Sequence, residues 1–284
     1  FRTRQSIINV MDGTPKTLTL RWSDNGPILP MDMFDLASVI PRGHVPALSF
    51  SALSPADTTM TAAFDMIQAE NVTDAIAALE GYIAPSQNVT FIDRDTIGFK
   101  VIGAMPKRSI NHQTQGRMPA LGWVRDNQWD GRLSYADNHE VINPDTGIIG
   151  NTNNKITDAD FPSHVSFEWG DSQRINRLKR LMEMRKVHTR ESLIEAQLDT
   201  VSFTAQSLLP LFGKELWFTS EAGERGTLAW QRSTALDLLA DWNGEMNEHL
   251  PEPLIYSAWL RAIQTKLIRD ELGPLAEEFT HVEP

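Results

Sequence analysis

Residues 88–102 read Asn-Val-Thr-Phe-Ile-Asp-Arg-Asp-Thr-Ile-Gly-Phe-Lys-Val-Ile, and this stretch decides the fold class. Apolar and polar side chains alternate over residues 88–93 and again over residues 97–102, which is typical of β-strands. Arg94 and Asp95 fall between the two runs, so the stretch predicts a β-hairpin. Leu18, Leu20 and Trp22 alternate with polar residues in the same way, and they predict a half-buried strand over residues 16–22.

Helical periodicity lies on both sides of the predicted hairpin. Residues 57–82 predict two helices with a break at Asn71. After Gly170 the chain turns helical, with an N-cap predicted at Thr189 and further helices at 203–212, 227–242 and 254–272. We therefore expect an α+β protein. Its predicted parts are a β-rich part over residues 1–170, with a helical insert at 57–82, and a mainly helical part over 171–284.

Composition excludes several functions. The net charge of −11 disfavours nucleic acid and an anionic membrane as partners, because both require a basic face. No apolar run is long enough to span a bilayer. The absence of cysteine excludes thiolate nucleophiles, disulfides and cysteine-bound zinc. Neither a G-x-S-x-G motif nor a Ser-His-Asp triad can be assembled from the spacing of the residues, so the residues alone predict no nucleophile.

One loop carries residues suited to catalysis. Residues 143–154 read Asn-Pro-Asp-Thr-Gly-Ile-Ile-Gly-Asn-Thr-Asn-Asn, with three Asn in the last four positions. A carboxamide offers two N–H donors without a net charge, so it can stabilise a developing alkoxide. The alternative is a turn in which Asn bonds its own backbone. Arg174 could orient an anion or a neighbouring loop, or it could be an ordinary helix-surface arginine.

The chain resembles the penicillin acylase family of N-terminal-nucleophile hydrolases. Its β-subunit blocks occur here in order: Ala84-Pro85-Ser86-Gln87-Asn88, Phe91-Ile92-Asp93, Ile97-Gly98-Phe99, Gly103 to Arg108, Trp129-Asp130-Gly131, the 143–154 loop, and Trp169-Gly170 followed by Arg174. Weaker matches occur at Asn25 to Ile28, Ala47 to Leu53, Gln197-Leu198-Asp199 and Leu239 to Gly244. The resemblance implies an antiparallel sheet with covering helices, within a four-layer αββα sandwich.

The resemblance also implies roles for four residues. Asn153 would donate to the oxyanion, and Arg174 would orient the active site. Phe50 and Gln87 would line the acyl pocket. The family hydrolyses linear amides, removing an acyl group from an amine such as a β-lactam nucleus or a homoserine lactone. Its nucleophile is an N-terminal Ser whose α-amino group acts as the base.

Several expectations about the parent protein follow from the family. Phe1 does not match the nucleophilic Ser, so we expect an internal fragment of the β-subunit that is inactive alone. Its expected partners are an α-subunit and the rest of the β-subunit, and its expected location is periplasmic or secreted. No cofactor is expected in this chain. Calcium is conceivable in the full protein, although Ser163 and His164 stand where the family places an Asp ligand.

Two alternatives stay open. One is a non-catalytic binding or interaction module that retained the acylase fold. The other is a periplasmic ligand-binding protein unrelated to amidases, which would require two similar α/β lobes.

Overall fold

The computed structural model describes residues 1–216 and 223–280, which divide into two compact units. The first unit comprises Phe1–Ile149 and Ile156–Glu168. The second comprises Gly150–Lys155 together with the described residues from Trp169 onward. The last part of the Asn-rich loop thus falls in the second unit. The division at residue 170 itself stays a prediction.

All paired strands of the first unit are antiparallel within the described residues. One sheet has the order β1-β2-β3, a second has the order β4-β5-β8, and β6 pairs with β7. The strands are β1 (Arg2–Ile8), β2 (Lys16–Ser23), β3 (Gly26–Pro27), β4 (Gln87–Ile92), β5 (Ile97–Ile102), β6 (Pro106–Arg108), β7 (Trp129–Arg132) and β8 (Glu140–Ile142).

The predicted hairpin is confirmed as β4 and β5. Its turn is closed by the Asp93 carboxylate, which accepts hydrogen bonds from the backbone N–H groups of Asp95 (2.8 Å) and Thr96 (2.7 Å). The other oxygen of Asp93 accepts from the N–H of Val72 at 2.8 Å, which ties the turn to the helical insert. Phe91 packs with Val72, Leu79 and Ile102 in the buried core of the unit.

The strand at residues 16–22 is also confirmed, but its predicted half-burial is wrong. Leu18 is 45% exposed and Leu20 is 40% exposed. Alternation decides which side chains share a face, but burial also needs a second layer against that face. The face that carries Leu18 and Leu20 is therefore only partly covered. The partner strand β1 was not predicted, because its residues are mostly polar.

The helical insert contains α1 (Thr59–Ile67) and α2 (Val72–Ala78), followed by a 3₁₀ turn at Leu79–Gly81. Asn71 is the N-cap of α2, since its side chain accepts from the N–H of Asp74 at 2.9 Å. The predicted break at Asn71 is therefore confirmed.

The second unit is helical. It contains α3 (Gln173–Glu183), α4 (Arg190–Gln197), α5 (Phe203–Leu216), α6 (Leu228–Asp241), α7 (Glu252–Leu272) and α8 (Ala276–Thr280). Thr189 caps α4 as predicted, accepting from the N–H of Ser192 at 3.2 Å. Ala205, Leu209, Leu239 and Tyr256 form the buried cluster between α5, α6 and α7. Helices in one unit and antiparallel strands in the other confirm the α+β class.

Candidate active site

The Asn-rich loop begins as an extension of the β4–β5 sheet. Asn143 exchanges two bonds with Ile97: its backbone N–H donates to the Ile97 carbonyl (3.0 Å), and its Oδ1 accepts from the Ile97 N–H (2.9 Å). The N–H of Gly147 then closes a turn onto the Pro144 carbonyl at 2.8 Å. This first part of the loop is a structural connection, in which the Asn143 side chain bonds a neighbouring strand and not its own turn.

The second part, residues 150–155, is organised by Asn151 and Asn154. Oδ1 of Asn151 accepts from the N–H of Asn153 at 3.1 Å, and Oδ1 of Asn154 accepts from the N–H of Thr152 at 3.1 Å. The Asn153 carbonyl accepts from the N–H of Gly170 at 3.0 Å, which fixes the loop to the start of the helical segment. Asn151 and Asn154 therefore form the local turn, and the Asn153 side chain takes no part in it.

Asn153 stands in left-handed backbone at φ 67°, a conformation that Asn tolerates better than most residues. Its side chain is exposed. Oδ1 accepts a hydrogen bond from Nη2 of Arg174 at 3.0 Å. Within residues 1–216 and 223–280, its Nδ2 group donates to no partner. The carboxamide is thus held at its oxygen, and two N–H donors remain available to a ligand.

Arg174 lies in the first turn of α3. The Asp171 carboxylate accepts from the N–H of Gln173 at 2.9 Å and so satisfies one N–H at the helix start. Ile175 is buried at 6% exposure, and Leu178 packs directly on Gly150, where an added Cβ would lie 2.7 Å from Leu178 Cδ2. The helix that carries Arg174 is therefore packed against the loop that carries Asn153.

An arginine hydrogen-bonded to a carboxamide oxygen has two chemical effects. It draws electron density towards the oxygen, which makes the N–H groups stronger donors. It also places the positive charge of a guanidinium close to the site. The pair is suited to stabilising negative charge on a substrate oxygen.

Asn153 and Arg174 lie together in the second unit, whereas Phe50 and Gln87 lie in the first. Phe50 is 51% exposed and directly precedes a 3₁₀ turn at Ser51–Leu53. Its segment is held by Ser49, whose Oγ donates to the Asn25 carbonyl at 2.8 Å. Gln87 is the exposed first residue of β4, opposite Ile102. Both remain predictions as pocket residues.

Sequence reasoning missed one ion pair beside this site. Arg177, one turn after Arg174, donates to both carboxylate oxygens of Asp199: Nε to Oδ2 at 2.8 Å and Nη2 to Oδ1 at 2.5 Å. This bond from the Arg177 guanidinium holds the pKa of the Asp199 carboxyl below its ordinary value. The i, i+3 spacing of Arg174 and Arg177 was visible in the sequence, but the distant partner Asp199 was not.

A calcium site needs several oxygen ligands close together. Within the described ranges, no three His, Cys, Asp or Glu side chains come together in a way that could hold a metal ion. At the position of the family's Asp ligand, His164 packs against Phe161 and Phe167, with ring centroids 5.1 and 4.3 Å away. Burial lowers the pKa of His164, as expected for a neutral imidazole among aromatic rings.

Among the described helices, none is both long and apolar enough to cross a membrane.

Comparison with known proteins gives concordant matches. A family model described as penicillin amidase matches residues 1–283. The acyl-homoserine lactone acylase QuiP of Pseudomonas aeruginosa is 25% identical over 281 residues, which are 96% of this chain and 33% of that protein. Penicillin acylase 2 proenzyme of Pseudomonas sp. is 25% identical over 289 residues, covering 99% of this chain and 34% of that protein. The chain thus spans about a third of the length of these relatives.

A solved structure supports the same conclusion at the level of the fold. Thermostable penicillin G acylase from Alcaligenes faecalis matches with a TM-score of 0.74 at 18% identity, over 96% of this chain and 47% of that one. The fold is accordingly that of the N-terminal-nucleophile hydrolases. Within that class, the match over residues 1–283 shows that the chain belongs to the penicillin amidase family. An unrelated two-lobed binding protein is thereby excluded.

Proposed function

We propose that the protein containing this chain hydrolyses linear amide bonds, and that Asn153 stabilises the negative charge that forms on the carbonyl oxygen. The amine released would come from a substrate such as an acyl-homoserine lactone or a β-lactam with an acylated nucleus. The names of the relatives, an acyl-homoserine lactone acylase and a penicillin acylase, support this substrate class.

One observation carries the proposal. The Asn153 carboxamide is exposed, its oxygen is held by Arg174, and its N–H groups donate to no described residue. An amide that served only its local turn would have its side chain bonded to nearby backbone, as Asn154 does. Because Asn153 is uncharged, it can stabilise an oxyanion without forming a tight ion pair with the substrate beforehand.

The remaining roles follow from family membership. The proposed nucleophile is a Ser with a free α-amino group, supplied from outside residues 1–284, so this chain alone is proposed to be inactive. An α-subunit and further β-subunit residues are its proposed partners. Phe50 and Gln87 would contact the acyl group, and no cofactor takes part in the proposed step. A role in antibiotic metabolism and a periplasmic or secreted location are part of the same proposal.

The test replaces Asn153 with Asp in the full-length protein. Asp keeps the side-chain volume, tolerates the left-handed backbone and still accepts from Arg174, but it removes the N–H donors and adds a negative charge. We expect kcat to fall by at least roughly a hundredfold on an acyl-homoserine lactone and on a chromogenic phenylacetyl amide. Chain processing and folding should be unchanged, because the side chain is exposed.

Asn247→Asp is the matched control. Its Oδ1 accepts from the N–H of His249 at 3.0 Å in the same unit, and Asp can keep that bond while adding the same charge. Wild-type kcat in Asn153→Asp would refute the oxyanion assignment. If the wild-type protein bound these compounds but turned over neither, the non-catalytic module would be the better description.

A further inference from the structure

Asn153 is held by an exposed contact that is weak on its own. Both Asn153 and Arg174 are exposed. A single bond from a long surface side chain adds little stability, since it competes with water and restricts several rotamers. The N-cap residue Ser172 makes no side-chain cap bond to α3. The direction of Arg174 depends on the rotation of α3 about its axis, which the packing of Ile175 and Leu178 restricts and which a directional polar contact can define more closely.

The Arg177–Asp199 pair provides that contact. Its side chains are only 18% and 14% exposed, and the guanidinium meets the carboxylate through two parallel bonds. A two-point contact fixes orientation as well as distance. Asp199 lies between α4 and α5, so the pair joins α3 to the body of the helical unit.

The pair acts on the same face of α3 that meets the Asn-rich loop. Arg177 and Leu178 follow Arg174 by three and four positions, so each is a neighbour of Arg174 on the helix surface. Arg174 contacts Asn153, and Leu178 packs on Gly150. A rotation of α3 would move Arg174 away from the Asn153 oxygen and displace the loop at Gly150.

We propose that Arg177 and Asp199 are positioning residues for amide hydrolysis, which set the direction of the Asn153 donor through α3 and Arg174. This inference rests on the proposed function. Neither residue touches the substrate. Loss of the pair should therefore lower kcat and leave KM nearly unchanged, because only the oxyanion contact of the transition state is impaired.

The test is a double-mutant cycle in the full-length protein, with the same phenylacetyl amide as substrate. Asp199→Asn is introduced into the wild type and into Asn153→Gly, where glycine accepts the positive φ and the carboxamide is absent. In the wild type, Asp199→Asn should lower kcat by roughly tenfold to a hundredfold, the scale of a small misplacement. In Asn153→Gly it should change kcat by less than about twofold, because the donor is already gone.

Glu195→Gln is the matched control. Arg185 and Glu195 form a second ion pair between the end of α3 and α4, at 2.9 Å, but their side chains are 49% and 66% exposed. Glu195→Gln should leave kcat at the wild-type value. If Asp199→Asn fails to fold, Arg177→Lys replaces it in the same double-mutant cycle. Lysine keeps the positive charge but cannot form the two parallel bonds, and the same outcomes apply.

The outcomes separate the two proposals. An equal loss of kcat from Asp199→Asn in both backgrounds, or no loss in the wild type, would overturn the positioning role. Wild-type kcat in Asn153→Gly would instead refute the oxyanion assignment and with it the proposed function. If kcat is low in Asn153→Gly and the effects of the two substitutions simply add, the positioning role is refuted and the oxyanion assignment stands.

Discussion

Gly26→Ala should destabilise the first unit far more than the similar substitution Gly43→Ala. Both glycines have positive φ, 120° at Gly26 and 82° at Gly43. A side chain in such a conformation costs about 1–3 kcal/mol at either position. The difference lies in the space available. A Cβ on Gly26 would lie 1.9 Å from the Leu48 carbonyl oxygen, whereas a Cβ on Gly43 would meet nothing within 4 Å.

The clash at Gly26 falls on backbone, which cannot rotate aside. The Leu48 carbonyl would have to retreat by about 1.5 Å to reach an ordinary contact distance of 3.4 Å. That movement breaks or stretches two nearby bonds, Leu48 N–H to the Pro27 carbonyl (2.9 Å) and Leu29 N–H to the Pro46 carbonyl (3.0 Å). Each has a net value of about 1 kcal/mol. Adding these two bonds to the conformational cost, we expect Gly26→Ala to lower the free energy of unfolding by about 3–5 kcal/mol.

The assay is urea unfolding of both variants and of the wild type, followed by circular dichroism and tryptophan fluorescence. Gly43→Ala should lose only the conformational cost of about 1–3 kcal/mol. Equal losses in the two variants would refute the argument from the Leu48 carbonyl. A loss below about 1 kcal/mol in Gly26→Ala would show that residues 46–48 adapt freely. Their position matters because they lead directly to Phe50.

Two further predictions concern pH. Because the pKa of the Asp199 carboxyl is below its ordinary value of 3.8, the ion pair with Arg177 should stabilise the fold above that pH, and its contribution should disappear as the pH falls further. The free energies of unfolding of the wild type and of Asp199→Asn should therefore converge as the pH falls below 3.8. A difference that stays constant with pH would contradict the stabilising role of this ion pair. Burial, with a smaller effect of Glu140, raises the pKa of Tyr135 to about 12, so its neutral form should stabilise the fold up to the ordinary value of 10.0, and that contribution should be lost as the pH rises further. The contribution of Tyr135 to the tyrosinate absorbance is obtained by comparison with Tyr135→Phe. In the wild type this contribution should appear with a pKa of about 12, and in Glu140→Gln the pKa should be only partly lowered. A pKa of Tyr135 near 10 would contradict its burial.

Local sequence signals predicted local structure well. The β4–β5 hairpin, the cap at Asn71 and the cap at Thr189 depend on residues close together in the chain, and all three are confirmed. Strand β1 was missed because its exposed residues carry no apolar alternation. The helix α5 extends to Leu216, four residues beyond its predicted end, and contains Pro210.

The candidate site was only partly readable from the sequence. The Asn-rich loop and Arg174 could be singled out, but the bond between Arg174 and Asn153 spans 21 positions and has no local signal. The family resemblance singled out Asn153, but the chemistry of the residues alone could not separate it from Asn151 and Asn154. The structure separates them, because two of the three asparagines bond to nearby backbone while the Asn153 oxygen accepts from Arg174. The role of Asp199 depends likewise on a partner 22 positions away.

The Arg174 contact has one more consequence, for the symmetry of the Asn153 carboxamide. The two ends of an amide are nearly alike in shape, so an isolated asparagine can flip by a half-turn at little cost. Here a flipped amide would set its NH₂ group against the guanidinium, hydrogen against hydrogen. One of the two orientations is therefore disfavoured before any ligand arrives. A ligand then meets the carboxamide mostly with its N–H groups already facing outward.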